Sequence, residues 1–115
     1  MLTQLARSLL ELASLEGDRG DLLAETGKLG EAERTYRRAL ALYQKLVDDS
    51  PRVVENRAGL ATTLSRLGRL LGRTGRSAEA EQLSRQVQAI QEKLATEFPK
   101  KPDSRKDTPK GKQRD

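Results

Sequence analysis

Few side chains in this chain are suited to catalysis. The 115 residues include neither His nor Cys, which excludes an imidazole base, a thiolate nucleophile, a disulfide and the usual ligands of structural zinc within this sequence. Paired acids occur at Glu31 and Glu33 and at Asp48 and Asp49, and such pairs can in principle transfer protons. No apolar surroundings are evident that would shift their pKa values, so we interpret them as solvated charges and helix-dipole partners.

The segment GRTGRS at residues 72–77 superficially resembles a phosphate-binding loop. It lacks the Gly-x4-Gly-Lys-Ser/Thr spacing, and it follows a helical pattern rather than a strand. No Ser lies in a strand-to-helix elbow, and an ordinary catalytic triad needs a His. The sequence therefore predicts no catalytic residue, no metal ligand and no cofactor, and segment 72–77 is interpreted as a turn between helices.

That turn belongs to a stretch that occurs twice. Residues 22–33 read LLAETGKLGEAE and residues 70–81 read LLGRTGRSAEAE. The residues that recur 48 positions later are Leu22, Leu23, Thr26, Gly27, Glu31, Ala32 and Glu33. A fixed period of a few tens of residues is typical of stacked helical units. With 35% hydrophobic and 34% charged residues, the chain is expected to form one small domain of two repeats, over about residues 3–50 and 51–99.

Hydrophobic residues recur at spacings of three and four along most of the chain, which predicts an all-α fold. We expect the first helix from about residue 3 to 26, with a break into two helices at Gly17 and Gly20 as the main alternative. Gly27 is expected to end this helix in a left-handed conformation. The second helix is expected over about residues 29–49, with acidic side chains in its first turn.

The second hairpin is predicted to have matching features. Ser50 has the residue type of an N-cap and Pro51 that of a first helical residue, so the third helix is expected to begin there and to end at Gly75. Ser77 is the expected N-cap of the fourth helix, which continues to Pro99. The inward face predicted for the third helix consists of Val53, Val54, Ala58, Ala61, Leu64, Leu67, Gly68 and Leu71.

The predicted architecture is therefore two antiparallel helical hairpins in one domain over residues 1–99. Gly20 and Gly68 occupy the same place in the two repeats, although a Gly inside a helix costs about 1 kcal/mol relative to Ala. Their presence indicates that a neighbouring helix approaches closely. The small residues Ala32 and Ala80, at matching points of the partner helices, suit such tight packing.

This ordered set of residues resembles the tetratricopeptide repeat family. In the second repeat the family pattern of apolar, Leu-Gly, turn and small residues is matched by Leu64, Leu67, Gly68, Leu71, Gly75 and Ala80. In the first repeat it is matched by Gly20, Leu23, Gly27, Ala32, Tyr36 and Ala39. Glu16 and Arg19 stand there in place of two large apolar residues. The period of 48 exceeds the family's usual period of about 34, and it is similar to a long-helix variant found as arrays in bacterial signalling proteins.

The resemblance implies a scaffold for protein–protein interaction, in which the first helices of the repeats line a groove for a peptide or a partner helix. The groove positions that it implies in the second repeat are Thr62, Ser65, Arg66, Arg69 and Arg73. The matched positions in the first repeat are Ser14, Gly17, Asp18, Asp21 and Glu25. The two strips therefore carry opposite charge.

This opposition of charge has two interpretations. In the first, exposed ion pairs between neighbouring helices fix the stacking register, each contributing about 0.2 to 1 kcal/mol. In the second, the Arg strip binds an acidic peptide, because guanidinium groups bind carboxylates in a bidentate manner. The pairs expected in the first interpretation are Asp18 with Arg66, Asp21 with Arg69, and Glu25 with Arg73.

The two ends of the predicted repeat domain differ in polarity. In the fourth helix Ser84 and Gln88 stand where the second helix has Tyr36 and Leu40, which is typical of a polar C-terminal cap. The first helix carries an apolar surface broader than one stripe, formed by Leu9, Leu10, Leu12 and Leu15. Because two repeats are fewer than the three usually needed for stability, we expect either a homodimer through this helix or an upstream array that covers it.

The net charge of +5 lies mainly in residues 100–115, which hold seven Lys or Arg and three Asp. This basic tail lacks large apolar residues and is predicted to be disordered. No aromatic residue lies among its charges to stack on bases, so nucleic acid is only a minor alternative partner. No segment resembles a signal peptide or reaches transmembrane length, so a cytoplasmic protein without membrane contact is the expectation.

Two classes of function follow from the sequence. The first is an interaction scaffold that binds a protein or peptide partner in its groove. The second is a structural helical remnant, or the C-terminal end of a longer array linked to a domain such as a kinase, which acts only through self-association.

Overall fold

The computed structural model describes residues 2–97 of the chain. In this range the backbone forms four helices without a strand, which confirms the predicted all-α fold. The helices are α1 (Leu2–Glu25), α2 (Leu29–Asp49), α3 (Val54–Arg73) and α4 (Ser77–Glu97). None of them is both long enough and apolar enough to cross a membrane. The predicted end of the last helix at Pro99 and the predicted disordered tail at 100–115 lie outside the described residues.

The helices pack in chain order, α1 on α2, α2 on α3 and α3 on α4, so that α3 is covered on two sides. The core consists of two clusters along this stack. Buried residues of the first are Ala13, Tyr43, Leu46, Leu60, Ala61, Leu64 and Val87. Buried residues of the second are Ala24, Ala32, Tyr36, Leu67, Leu70 and Leu71.

Helix α1 is continuous through both of its central glycines, so the alternative of a break is wrong. Ala13, Gly17, Gly20 and Ala24 form a buried face of small residues along it. A Cβ atom at Gly20 would lie 2.6 Å from the ring of Tyr36 in α2. The small size of the residues on this face lets α2 approach closely, and that packing holds the helix together where its glycines weaken it.

The same backbone turn ends α1 and α3. In the first hairpin Gly27 has φ of 82°, and the N–H of the next residue donates to the carbonyl of Leu23 over 2.9 Å. In the second hairpin Gly75 has φ of 84°, and the N–H of the next residue donates to the carbonyl of Leu71 over 2.9 Å. Because only Gly adopts this left-handed conformation readily, the repeated residue reverses the chain in the same way twice.

The predicted start of α3 at Ser50 and Pro51 is wrong. Ser50 instead follows the last residue of α2, and its N–H donates to the carbonyl of Leu46 over 2.8 Å. Helix α3 begins three residues after Pro51, at Val54, which places the amide of Asn56 within 3.3 Å of the same Leu46 carbonyl. This buried side chain is thus a second donor to a carbonyl in the last turn of α2.

The inward face predicted for α3 is accordingly wrong at its beginning. Val53 and Val54 are 42% and 43% exposed, and Ala58 is exposed as well. Since both α2 and α4 cover this helix, its buried surface is wider than one stripe. It consists of Asn56, Leu60, Ala61, Thr63, Leu64, Leu67, Leu70 and Leu71. The cap predicted for α4 is also wrong, because Ser77 is its first helical residue.

The close approach predicted from the two matched glycines occurs at Gly20 and not at Gly68. A Cβ atom at Gly68 would lie 3.7 Å from the carbonyl oxygen of Ala80, which is ordinary van der Waals contact. A tight contact that the sequence did not suggest occurs at Gly59, where the ring of Tyr43 occupies the space of a Cβ atom. At both tight contacts, the group that lies against the glycine is therefore a Tyr ring of α2.

Candidate partner-binding groove

An open depression of about 350 Å³ lies between α1 and α3. Acidic side chains of α1 form one wall, Arg side chains of α3 form the other, and Ala24, Tyr36 and Leu70 lie between them. We call this depression the α1–α3 groove. The predicted groove residues that line it are Asp21, Glu25, Arg66, Arg69 and Arg73.

Five of the predicted groove residues do not line the α1–α3 groove, namely Thr62, Ser65, Ser14, Gly17 and Asp18. Thr62 and Ser65 are exposed on the side of α3 that faces α4, beside Gln91 and Leu94. Asp18 is exposed on α1 outside the groove. The depression therefore contains only part of each predicted strip, because Thr62 and Ser65 lie on the face of α3 that is turned toward α4.

Asp21 joins three helices at one end of the groove. The hydroxyl of Tyr36 in α2 donates to its Oδ1, and Nη1 of Arg66 in α3 lies 3.2 Å from its Oδ2. The side chains of Asp21 and Arg66 are 35% and 33% exposed, so this ion pair is partly shielded from water. Burial, and then the bond to Asp21, raise the pKa of Tyr36, so its hydroxyl stays protonated as the donor.

The ion pairs predicted across α1 and α3 are wrong in register. Arg66 pairs with Asp21 and not with Asp18. The guanidinium group lies against α1 at Gly17, where a Cβ atom would be 3.4 Å from Nη1 of Arg66. From there it reaches the acid one helical turn further on.

The remaining charged residues of the groove have no such partner. Within residues 2–97, neither Arg69 nor Arg73 forms an ion pair, and Glu25 forms none either. All three are exposed. Arg69 and Arg73 lie four residues apart on one face of α3, where two guanidinium groups can contact one segment of ligand.

A second charged cluster, which the sequence analysis missed, joins the two hairpins at their turns. Glu33 of α2 accepts from Arg37 over 2.8 Å and from Arg76 over 2.8 Å, and Arg76 also reaches Glu79 over 2.7 Å. The bond from Arg37, together with that from Arg76, lowers the pKa of Glu33 against the opposing effect of burial. Glu33 matches Glu81 in the second repeat, and this recurrence is the feature of the sequence that could have indicated the cluster.

Glu16 occupies one of the two positions where the family pattern has a large apolar residue. Its side chain is 18% exposed, and its Oε1 is buried without a hydrogen-bond partner. The nearest cation is Nε of Arg38, at 3.7 Å. A buried carboxylate oxygen without a donor is unfavourable, so this position is a weak point in the packing of α1 on α2.

The comparisons with known proteins agree with this architecture. The family model of the tetratricopeptide repeat matches residues 11–93, more than two thirds of the chain. The chain therefore belongs to the tetratricopeptide repeat family, whose members are generally non-catalytic scaffolds that mediate protein–protein interaction. A search of curated proteins and a search of solved structures gave no significant match.

Proposed function

We propose that this protein binds an acidic segment of a partner protein in the α1–α3 groove, with Arg69 and Arg73 as the main contacts. The observation that carries the proposal is that these two exposed guanidinium groups line the groove and form no ion pair within residues 2–97. Guanidinium groups bind carboxylates in a bidentate manner, so the pair suits a segment with Asp or Glu side chains.

The charged residues of the groove divide into two roles. Asp21 and Arg66 neutralise each other and hold the helices in register, so they contribute little net charge for a ligand. Glu25 remains on the α1 wall opposite the two free Arg residues. The preferred segment therefore places its carboxylates toward α3 and a basic or hydrogen-bond-donating side chain toward α1.

The floor of the groove limits how much apolar contact a ligand can make. Leu70 is almost completely buried and Ala24 nearly so, which leaves little apolar surface for a ligand to cover. Charged contacts at exposed side chains then supply most of the binding free energy, and salt screens such contacts. We expect moderate affinity that decreases as the salt concentration rises.

The test is selection from a phage-displayed library of random linear peptides on the full chain. The selected peptides are then tested on a groove variant, Arg69→Glu/Arg73→Glu. The control variant, Arg52→Glu/Arg85→Glu, makes the same charge change at exposed sites outside the groove. Peptides enriched in Asp and Glu should bind the wild type and the control equally. They should lose at least about tenfold in affinity on the groove variant.

Thermal unfolding of the same variants separates binding from stacking. Because Arg69 and Arg73 are exposed and unpaired within the described residues, the groove variant should unfold within a few degrees of the wild type. Selected peptides without acidic residues, or equal binding to both double variants, would overturn the proposal. A groove variant that is strongly destabilised while its peptide binding is unchanged would assign the Arg strip to stacking alone.

A further inference from the structure

Helix α1 carries an apolar stripe that nothing in the described chain covers. Leu5, Leu12, Leu15 and Leu22 are 45% to 64% exposed and recur at spacings of seven, three and seven. Exposed Ser8 and Arg19 complete this outer stripe. Such spacing is that of the a and d positions of a helix that packs against another helix.

The second repeat shows what kind of element covers these positions. The residues 48 positions after Ser8, Leu12, Leu15 and Leu22 are Asn56, Leu60, Thr63 and Leu70, each at most 7% exposed. Asn56 donates to a carbonyl of α2, and Leu60 and Leu70 belong to clusters that contain α2 residues. A helix lying across the outer stripe would therefore occupy the place that α2 occupies on α3.

In a head-to-tail array of copies, α4 of one copy would lie on the outer stripe of the next, but α4 is not suited to cover it. The positions of α4 that match the apolar face of α2 include Ser84, Gln88 and Gln91, all exposed. A surface of that polarity would leave the leucines of α1 poorly covered.

The outer stripe is complementary to itself when reversed. Leu5 and Leu22 are its outermost members, Ser8 and Arg19 come next, and Leu12 and Leu15 are innermost. In an antiparallel pair of α1 helices, every Leu therefore meets a Leu of the other copy, and each Arg meets a Ser. Antiparallel helices pack a positions against d positions in this way, and two-fold symmetry provides a closed assembly.

We propose that two copies of this chain associate through the outer stripe, with their α1 helices antiparallel and Leu12 of one copy against Leu15 of the other. This surface shares only Glu25, at its edge, with the α1–α3 groove, and the main contacts Arg69 and Arg73 lie outside it, so the two proposals can be tested separately.

The charges beside the stripe give this dimer a distinctive salt dependence. Exposed Glu11, Asp18 and Glu25 lie along one edge of the outer stripe at intervals of seven residues. In the antiparallel pair the acidic edges of the two copies face each other and repel. Salt screens this repulsion, so association should tighten between about 50 and about 500 mM NaCl. A basic partner helix on the same stripe would show the opposite trend.

The first test is sedimentation equilibrium of the full chain over a range of concentrations. Leu15→Lys should weaken the dimer at least about tenfold, whereas Val54→Lys, which alters an apolar residue exposed away from the stripe, should leave it unchanged. Arg69→Glu should also leave it unchanged. A wild-type chain that remains monomeric at high micromolar concentration, or a dimer insensitive to Leu15→Lys, would overturn the proposal.

Disulfide formation tests the orientation, because the natural chain has no Cys. When Leu5→Cys and Leu22→Cys chains are mixed and oxidised, the antiparallel arrangement predicts the mixed disulfide as the main product. Each variant oxidised alone should give little dimer. Efficient linkage of Leu5→Cys chains to each other would instead show parallel helices and contradict the proposed register.

Discussion

Arg66 reaches past the acid at its matched position and pairs with Asp21, 3.2 Å away, one turn further along α1. The same carboxylate accepts the hydroxyl of Tyr36, so one side chain of α1 bonds to both α2 and α3. This arrangement pairs Asp21 and Arg66 within the chain. Of the other charged residues that line the groove, Arg69, Arg73 and Glu25 form no ion pair within residues 2–97.

Asp21 is expected to be structural, and Asp18 is its matched control. Replacing Asp21 with Ala removes the acceptor of a largely buried Tyr hydroxyl and should lower the free energy of unfolding by about 1 to 2 kcal/mol. Asp18→Ala removes an exposed acid and should change it by less than about 0.5 kcal/mol. Urea denaturation measures both. Equal effects of the two substitutions would show that the three-helix junction does not contribute to stability.

The two matched glycines should respond oppositely to the same substitution. Gly20→Ala places a Cβ atom 2.6 Å from the ring of Tyr36, so displacement of that ring should cost about 1 to 3 kcal/mol. Gly68→Ala makes only ordinary contact with Ala80, so the higher helix propensity of Ala should stabilise by up to about 1 kcal/mol. Thermal unfolding monitored by circular dichroism measures the difference. A similar loss in both variants would mean that both helices approach equally closely.

Glu16→Leu should stabilise the protein. The change removes a buried carboxylate oxygen that lacks a hydrogen bond and restores the apolar residue type found 48 positions later at Leu64. Arg38 loses only a distant ion pair and stays hydrated, because its side chain is 54% exposed. We expect a gain of about 1 kcal/mol in the free energy of unfolding. Glu92→Leu, at an exposed position of α4, is the control and should give little change.

The Glu33 cluster should make stability depend on pH. Hydrogen bonds from Arg37 and Arg76 lower the pKa of Glu33 from its ordinary value of 4.5. A carboxyl group with a lowered pKa in the folded state stabilises the fold fully above its unfolded pKa. That contribution is lost as the pH falls from about 4.5 through the folded pKa.

The comparison of Glu33→Gln with the wild type isolates this contribution. The variant should be less stable than the wild type near pH 7, and the difference should shrink as the pH falls below about 4.5. Glu81→Gln, at the matched and exposed position of α4, should track the wild type throughout. A constant difference between Glu33→Gln and the wild type over this pH range would exclude titration of Glu33 as its cause.

Local features of the sequence predicted much of the fold. The spacing of apolar residues located four helices, and the recurrent Gly27 and Gly75 located the two turns, because a left-handed residue is a local property of the backbone. The start of α3 was predicted wrongly because it depends on a contact between helices and not on the local sequence. Ser50 and Pro51 have the residue types of a helix start, but the buried contact of Asn56 with the end of α2 decides where α3 begins.

The sequence by itself determined the helices, the reversals between them, the family and the residue types that a groove between α1 and α3 would hold. Only the tertiary structure decided which of those residues form ion pairs or tight packing contacts within the chain. Arg66 pairs one turn beyond its matched acid, and Gly20 but not Gly68 lies under an aromatic ring. These outcomes depend on distances between helices and on long side chains that span a helical turn, and neither is a periodic property of the chain.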